Sequence, residues 1–188
     1  GTALKLCYGL DRFSEDLDFD SSVPLKLESF ITTVFKHIGK NHPHFKKVKI
    51  TLVKDTKTVK RYRIEYGDSM SLKIETSLRG TPDDNDLIEL NGIRTYKIEV
   101  LIEQKLKALM GRTTARDLHD VIFLFDRYFN SFTKDQLDSI IDLYNSQSEV
   151  MGRFNPAYEE DTILSSEDLL TDLMKLIELV KNRELLQD

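Results

Sequence analysis

Asp16 and Asp18 alternate with apolar residues in the run Ser14-Glu15-Asp16-Leu17-Asp18-Phe19-Asp20. On a β-strand this alternation sends Ser14, Asp16, Asp18 and Asp20 to one face and Leu17 and Phe19 to the other. Two carboxylates two residues apart on a rigid backbone can share a hard divalent cation. Just upstream, Gly1-Thr2 opens a short helical pattern, and a helix start can hold an anion. Metal beside phosphate is the arrangement that nucleotide chemistry needs. A bare Asp-x-Asp also describes the wetted face of an ordinary sheet. The Gly-Thr start at short range is what makes the pair informative.

Three further residues could serve the same chemistry. Glu75, in Leu72-Lys73-Ile74-Glu75-Thr76, lies on the face opposite Leu72 and Ile74. It reads either as half of an exposed cross-strand ion pair or, if its strand lies beside 13–20, as a third carboxylate. In the second reading it is a metal ligand or the acceptor of a proton from an attacking hydroxyl. Lys105 shares a helical face with Leu101, Ala108 and Leu109. It reads either as a snorkelling side chain or as a cation reaching phosphates. Asp117 and Asp120, in Arg116-Asp117-Leu118-His119-Asp120, fall near a helix start, where the helix dipole alone favours acids. Ser14 has no general-base partner in sequence reach, which argues against a serine hydrolase. Of the four histidines, His37, His42 and His44 read as surface residues and His119 is open.

The elements that position these residues follow from periodicity. Residues 2–8 read as a short helix and 13–20 as the carboxylate strand. Pro24 marks a helix start, and Leu27, Phe30, Ile31, Val34, Phe35 and Ile38 follow at helical spacing until Gly39. Strands are expected near 47–53, 59–66 and 70–78, with antiparallel turns at Asp55 and Gly67-Asp68. Asn91-Gly92 signals a hairpin. Helices follow at 98–110, 114–129, 134–145 (with a capping box from Thr133 to Gln136) and 166–183, while 146–165, with Asn155-Pro156, reads as a loop. The class is α+β: an α/β core over residues 1–96 and a helical C-terminal domain over 97–188.

Composition limits the options. The 188 residues carry 40% hydrophobic side chains and a net charge of −5, enough for one domain or two small ones. No apolar run or N-terminal pattern suggests a membrane helix or a signal peptide. The single cysteine, Cys7, points to a reducing, cytoplasmic setting. Lys36 through Arg63 holds ten Lys/Arg and one acid, Asp55. This stretch is either a solvated hairpin protected by its lysines or a surface for a phosphate backbone.

Two blocks resemble a known family. Gly1-Thr2-Ala3-Leu4, Tyr8-Gly9 and Arg12-Phe13-Ser14-Glu15-Asp16-Leu17-Asp18-Phe19 are similar to the opening motif of the AbiEii/AbiGii toxin nucleotidyltransferases. Glu103-Gln104-Lys105-Leu106-Lys107-Ala108 and Arg112 through Arg116-Asp117-Leu118-His119-Asp120 resemble that family's second block. The family pattern has two glycines before the threonine, where this sequence has one.

The resemblance implies a polymerase-β-like minimal nucleotidyltransferase fold with a mixed sheet and an appended helical domain. It implies Mg²⁺ (or Mn²⁺) at Asp16 and Asp18, with Gly1, Thr2 and Ser14 near the triphosphate of an NTP. It also implies that Lys105 and Asp117 matter for activity. Members of this family are toxins of bacterial toxin–antitoxin or phage-abortive systems, usually beside a separate antitoxin, and some transfer nucleotides to the 3′ end of tRNA. The expected activity is therefore pyrophosphate-releasing transfer from an NTP to an acceptor hydroxyl, with RNA such as tRNA docking through Lys36–Arg63. A metal-dependent nuclease or phosphohydrolase, and an inert binding module on the same fold, are the alternatives.

Overall fold

The computed structural model describes residues 1–183 apart from Lys46, Ser69 and Thr81, and leaves out the side chain of His44. Lys46 of the basic stretch and the imidazole of His44 therefore lie outside the described residues. The chain divides into two compact units. One contains Gly1–Leu6 and Phe13–Leu87, and the other contains Cys7–Arg12 and everything from Ile88 onward. The division thus falls at Leu87/Ile88 where the sequence suggests 96, and the short segment Cys7–Arg12 joins the helical unit.

The first unit is built on a four-stranded mixed sheet. Helix α1 (Thr2–Tyr8) begins at the N-terminus, followed by β1 (Asp16–Asp20), α2 (Glu28–Ile38), β2 (Val48–Asp55), β3 (Val59–Tyr66) and β4 (Met70–Ser77). The strand order is β1-β4-β3-β2, with β1 parallel to β4 and the other pairs antiparallel. The alternation in sequence sets the two faces. Tyr62, Ile64 and Ile74 are buried with Ile31 and Phe35 of α2, and Leu17, Ile50, Tyr66 and Leu72 pack against them. Each of these large apolar side chains contributes about 1.5–3 kcal/mol by leaving water. The opposite face carries Asp16, Asp18, Lys73, Glu75, Arg61 and Arg63.

Helix α2 starts later than the sequence suggests. Pro24 lies ahead of it, and Leu27 is the residue before the first helical one. Its end at Gly39 is tight: a Cβ there would sit 3.0 Å from the backbone oxygens of both Phe35 and Phe45.

The second unit contains the hairpin β5 (Leu87–Leu90) and β6 (Ile93–Tyr96), apart from Leu87, and five helices. Asn91 and Gly92 have φ of 53° and 73°, the pair of left-handed residues that a tight two-residue hairpin turn requires. The helices are α3 (Ile98–Gly111), α4 (Ala115–Arg127), α5 (Lys134–Asn145), α6 (Gln147–Glu159) and α7 (Ser166–Asn182). Helix α4 is the hub: Leu118, Val121, Ile122, Leu124 and Phe125 are buried, and α3, α6 and α7 all pack on it. The expected capping box of α5, Thr133 with Gln136, is present, and Ser165 with Asp168 forms another at α7.

Helix α6 corrects the loop expected over 146–165. Pro156 lies inside it, three residues from its end, where it removes one i→i−4 hydrogen bond and crowds the carbonyl of Gly152, at a cost of about 3 kcal/mol. Val150, Phe154 and Tyr158 are buried at four-residue spacing along one face. That apolar stripe outweighs the proline.

Candidate functional site

In the first unit, β1 and β4 run side by side in a register that sets Asp16 beside Lys73 and Asp18 beside Glu75. Parallel neighbours in register share a face, so the three carboxylates that the sequence singles out stand together. Asp16 is engaged by the ammonium of Lys73. Glu75 accepts from Arg61 of β3, whose Nε and Nη2 both lie 2.6 Å from Oε2. Asp18 makes no hydrogen bond or ion pair among the described residues. Its carboxyl is held above the usual carboxylate range, first by partial burial and then by the negative Asp16 and Glu75, against the pull of Lys73.

The start of α1 is tied to this strand. The Thr2 hydroxyl donates to the backbone carbonyl of Asp16 and lies 3.0 Å from Ser14 Oγ. Thr2, Ser14 and Asp16 are thus brought together. Lys73 and Arg61 were not singled out from sequence. Only the register reveals them, because it places each opposite an acid.

Lys105 and Asp117 meet in the second unit. Asp117 is almost wholly buried and accepts from Lys105 (3.1 Å), Arg112 (2.7 Å) and the Thr114 hydroxyl. Burial would raise its pKa, but Arg112, Thr114 and Lys105 outweigh that and hold it at about 2. Asp120, fully buried, takes a second contact from Lys105 at 2.7 Å and a two-pronged pair from Arg12 at 2.7 and 2.6 Å. The acids of this helix start are therefore anchors for cations, beyond what a helix dipole asks. Lys105 is mostly buried, and its ammonium bridges two carboxylates. Arg12 and Asp120 are the partners the sequence reading missed. They lie 108 residues apart, and no local signal links them.

The donor set can be weighed against a divalent cation. Among the described residues, no three His, Cys, Asp or Glu side chains are gathered as a ready metal cage. Lys73 and Arg61 engage two of the three carboxylates instead. The chemistry still fits a hard cation: the donors are all oxygen, they share one face of two hydrogen-bonded strands, and the Asp18 carboxylate makes no ion pair among the described residues.

Comparison with known proteins identifies the family. A family model described as "Nucleotidyl transferase AbiEii toxin, Type IV TA system" matches residues 1–183. JHP933 from Helicobacter pylori is similar in structure, at TM-score 0.78 and 29% identity, with 100% of this chain and 84% of that one covered. A second H. pylori structure, described as a candidate nucleotidyltransferase, aligns at TM-score 0.78 and 30% identity over 99% of this chain and 86% of that one. MenT4, a nucleotidyltransferase toxin from Mycobacterium tuberculosis, aligns at TM-score 0.46 and 16% identity over 96% and 73%. No curated protein matches the chain. This chain belongs to the AbiEii family of nucleotidyltransferase toxins of type IV toxin–antitoxin systems. Its α+β fold, with a mixed sheet and helices following it, is the one the resemblance led us to expect.

Proposed function

We propose that the chain transfers a nucleotidyl group from an NTP to a hydroxyl of an RNA acceptor such as tRNA, releasing pyrophosphate. The observation that carries this reading is the shared face of Asp16, Asp18 and Glu75 on neighbouring strands. The acceptor oxygen attacks the α-phosphorus, and the bond to the pyrophosphate oxygen breaks. Asp16 and Asp18 are the residues that would hold Mg²⁺ or Mn²⁺, with Glu75 beside them. Such an ion, when bound, supplies charge neutralisation on the triphosphate. Glu75 takes the proton of the attacking hydroxyl. Lys73 and Arg61 neutralise Asp16 and Glu75 in the absence of substrate. Gly1, Thr2 and Ser14 lie near the triphosphate, with the Thr2 hydroxyl fixing the helix start against β1. The family resemblance also makes activity depend on Lys105 and Asp117, which pair with each other in the helical unit.

Membership of a type IV system supports a separate antitoxin protein as partner. Among the described residues, no helix is long and apolar enough to cross a membrane.

Label transfer tests the reaction. The protein is incubated with Mg²⁺, each α-labelled NTP in turn and bulk tRNA, with Asp16→Ala as control. Label on tRNA that requires Asp16 supports the reading, and the labelled lane names the nucleotide. Label that persists in the Asp16→Ala protein, or cut RNA formed without any NTP, overturns it.

A further inference from the structure

The polar face of the sheet is ordered by charge, from acid at β1 to base at β2. One row across the strands reads Asp18, Glu75, Arg61, Lys54, and the next reads Asp16, Lys73, Arg63, Thr51. With neighbouring strands about 4.8 Å apart, Arg61 and Arg63 stand roughly 10 Å from the aspartates and Lys54 roughly 14 Å.

The cations on this face are not equivalent. Lys73 is held by Asp16, Arg61 by Glu75 and Lys49 by Glu65. Arg63 is exposed, and neither it nor Lys54 makes an ion pair or side-chain hydrogen bond among the described residues. Lys54 reaches this face only through an irregularity. The β2–β3 register slips between Leu52 and Lys54, so that Lys54 stands opposite Arg61. Without the slip, strict alternation from Thr51 would put Val53 there and turn Lys54 to the other side. Bulges of this kind re-aim side chains and are common beside active sites. The slip places a second uncommitted cation on the carboxylate face of a chain whose net charge is −5.

We infer that Arg63 and Lys54 are the contacts for the sugar–phosphate backbone of the RNA acceptor, which lies across the β3–β2 side of this face with its reacting hydroxyl toward Glu75. The inference rests on the nucleotidyl-transfer reading above. It also narrows the basic stretch. Within it, Arg63 and Lys54 share the carboxylate face and make no ion pair among the described residues, whereas Lys36 and Lys40 lie on or just after α2. A phosphate backbone matches such a row because each contact is a point charge meeting a point charge, with counterions released.

The test measures binding directly. Affinity for fluorescently labelled bulk tRNA, without NTP, is followed by anisotropy over a range of salt for the unaltered chain, for Arg63→Ala with Lys54→Ala, and for Lys36→Ala with Lys40→Ala. Both double variants remove two positive charges. The first is expected to bind about tenfold more weakly or worse and to lose about one unit of salt slope per lost phosphate contact. The second is expected to bind like the parent, and Arg63→Lys is expected to retain the salt slope. Equal losses in the two double variants, no loss in the first, or no tRNA binding by the parent overturns the inference. Asp18→Asn is carried alongside. It is expected to bind tRNA like the parent and to fail in transfer; full transfer by this variant removes the reaction on which the inference rests, whatever the binding data say.

Discussion

Asp18 and Glu75 stand opposite one another on neighbouring parallel strands, and Arg61 holds Glu75 while nothing among the described residues holds Asp18. The protein thus keeps one carboxylate costly to ionise beside another that is neutralised. A group held above its usual pKa destabilises the fold when charged. Such strain is maintained where function needs it.

Replacing Asp18 by Asn should therefore separate activity from stability. If Asp18 holds the ion as proposed, its loss should cost several kcal/mol of transition-state stabilisation, or about 100-fold or more in transfer rate. The melting temperature should stay the same or rise, because a repelled charge has been removed. Rate and melting curve measured on one preparation check this. A variant that loses activity together with stability would point to a structural role for Asp18.

The pair of Arg12 and Asp120 makes a different prediction. Their side chains are 5% and 0% exposed. Asp120→Ala leaves Arg12 and Lys105 short of a buried acceptor and should cost about 3–5 kcal/mol, read by denaturant unfolding. Arg12→Met with Asp120→Leu should cost less than the single change, since the guanidinium goes with its acid and Lys105 keeps Asp117. A double variant as unstable as the sum of its singles would sink this account.

Gly39→Ala should also destabilise. Its Cβ would meet two backbone oxygens at 3.0 Å, one from Phe35 and one from Phe45. Neither is the movable end of a side chain, so α2 or the segment around Phe45 must shift. Overpacking of this kind costs about 1–3 kcal/mol, detectable as a lowered denaturant midpoint with an unchanged slope.

What sequence reading could and could not reach has a physical pattern. Alternation and turn chemistry expose β2, β3, β4 and the Asn91-Gly92 hairpin, because each depends on residues within a few positions of one another. The pair Asp16 and Asp18 is legible for the same reason, whereas Glu75 joins it only through the β1–β4 pairing. Helix α6 is not, since Pro156 is a strong local signal and burial of Phe154 and Tyr158 is a tertiary one. The partners of the charged residues are also hidden. Register brings Lys73 and Arg61 to the carboxylates, and packing brings Arg12 to Asp120. The slip that turns Lys54 onto the carboxylate face cannot be read from one strand alone.

His119 gives the pH dependence. Its Nδ1 lies 2.9 Å from Asp172 Oδ2 and its Nε2 3.1 Å from Asp11 Oδ1, while the Tyr158 hydroxyl donates to Asp172 at 2.7 Å. Burial opposes protonation of the ring, but Asp172 and then Asp11 more than offset it, and the pKa rises from 6.5 to about 8. A folded-state pKa above the unfolded one means that protonation favours the fold. That contribution is fully present below pH 6.5 and fades as pH rises through about 8. The shift corresponds to about 2 kcal/mol. Urea unfolding of the parent at pH 6 and pH 9 should show a loss of that order, and His119→Gln, which cannot take up the proton, should flatten it. A slope between these pH values that survives in His119→Gln would assign the titration to another group.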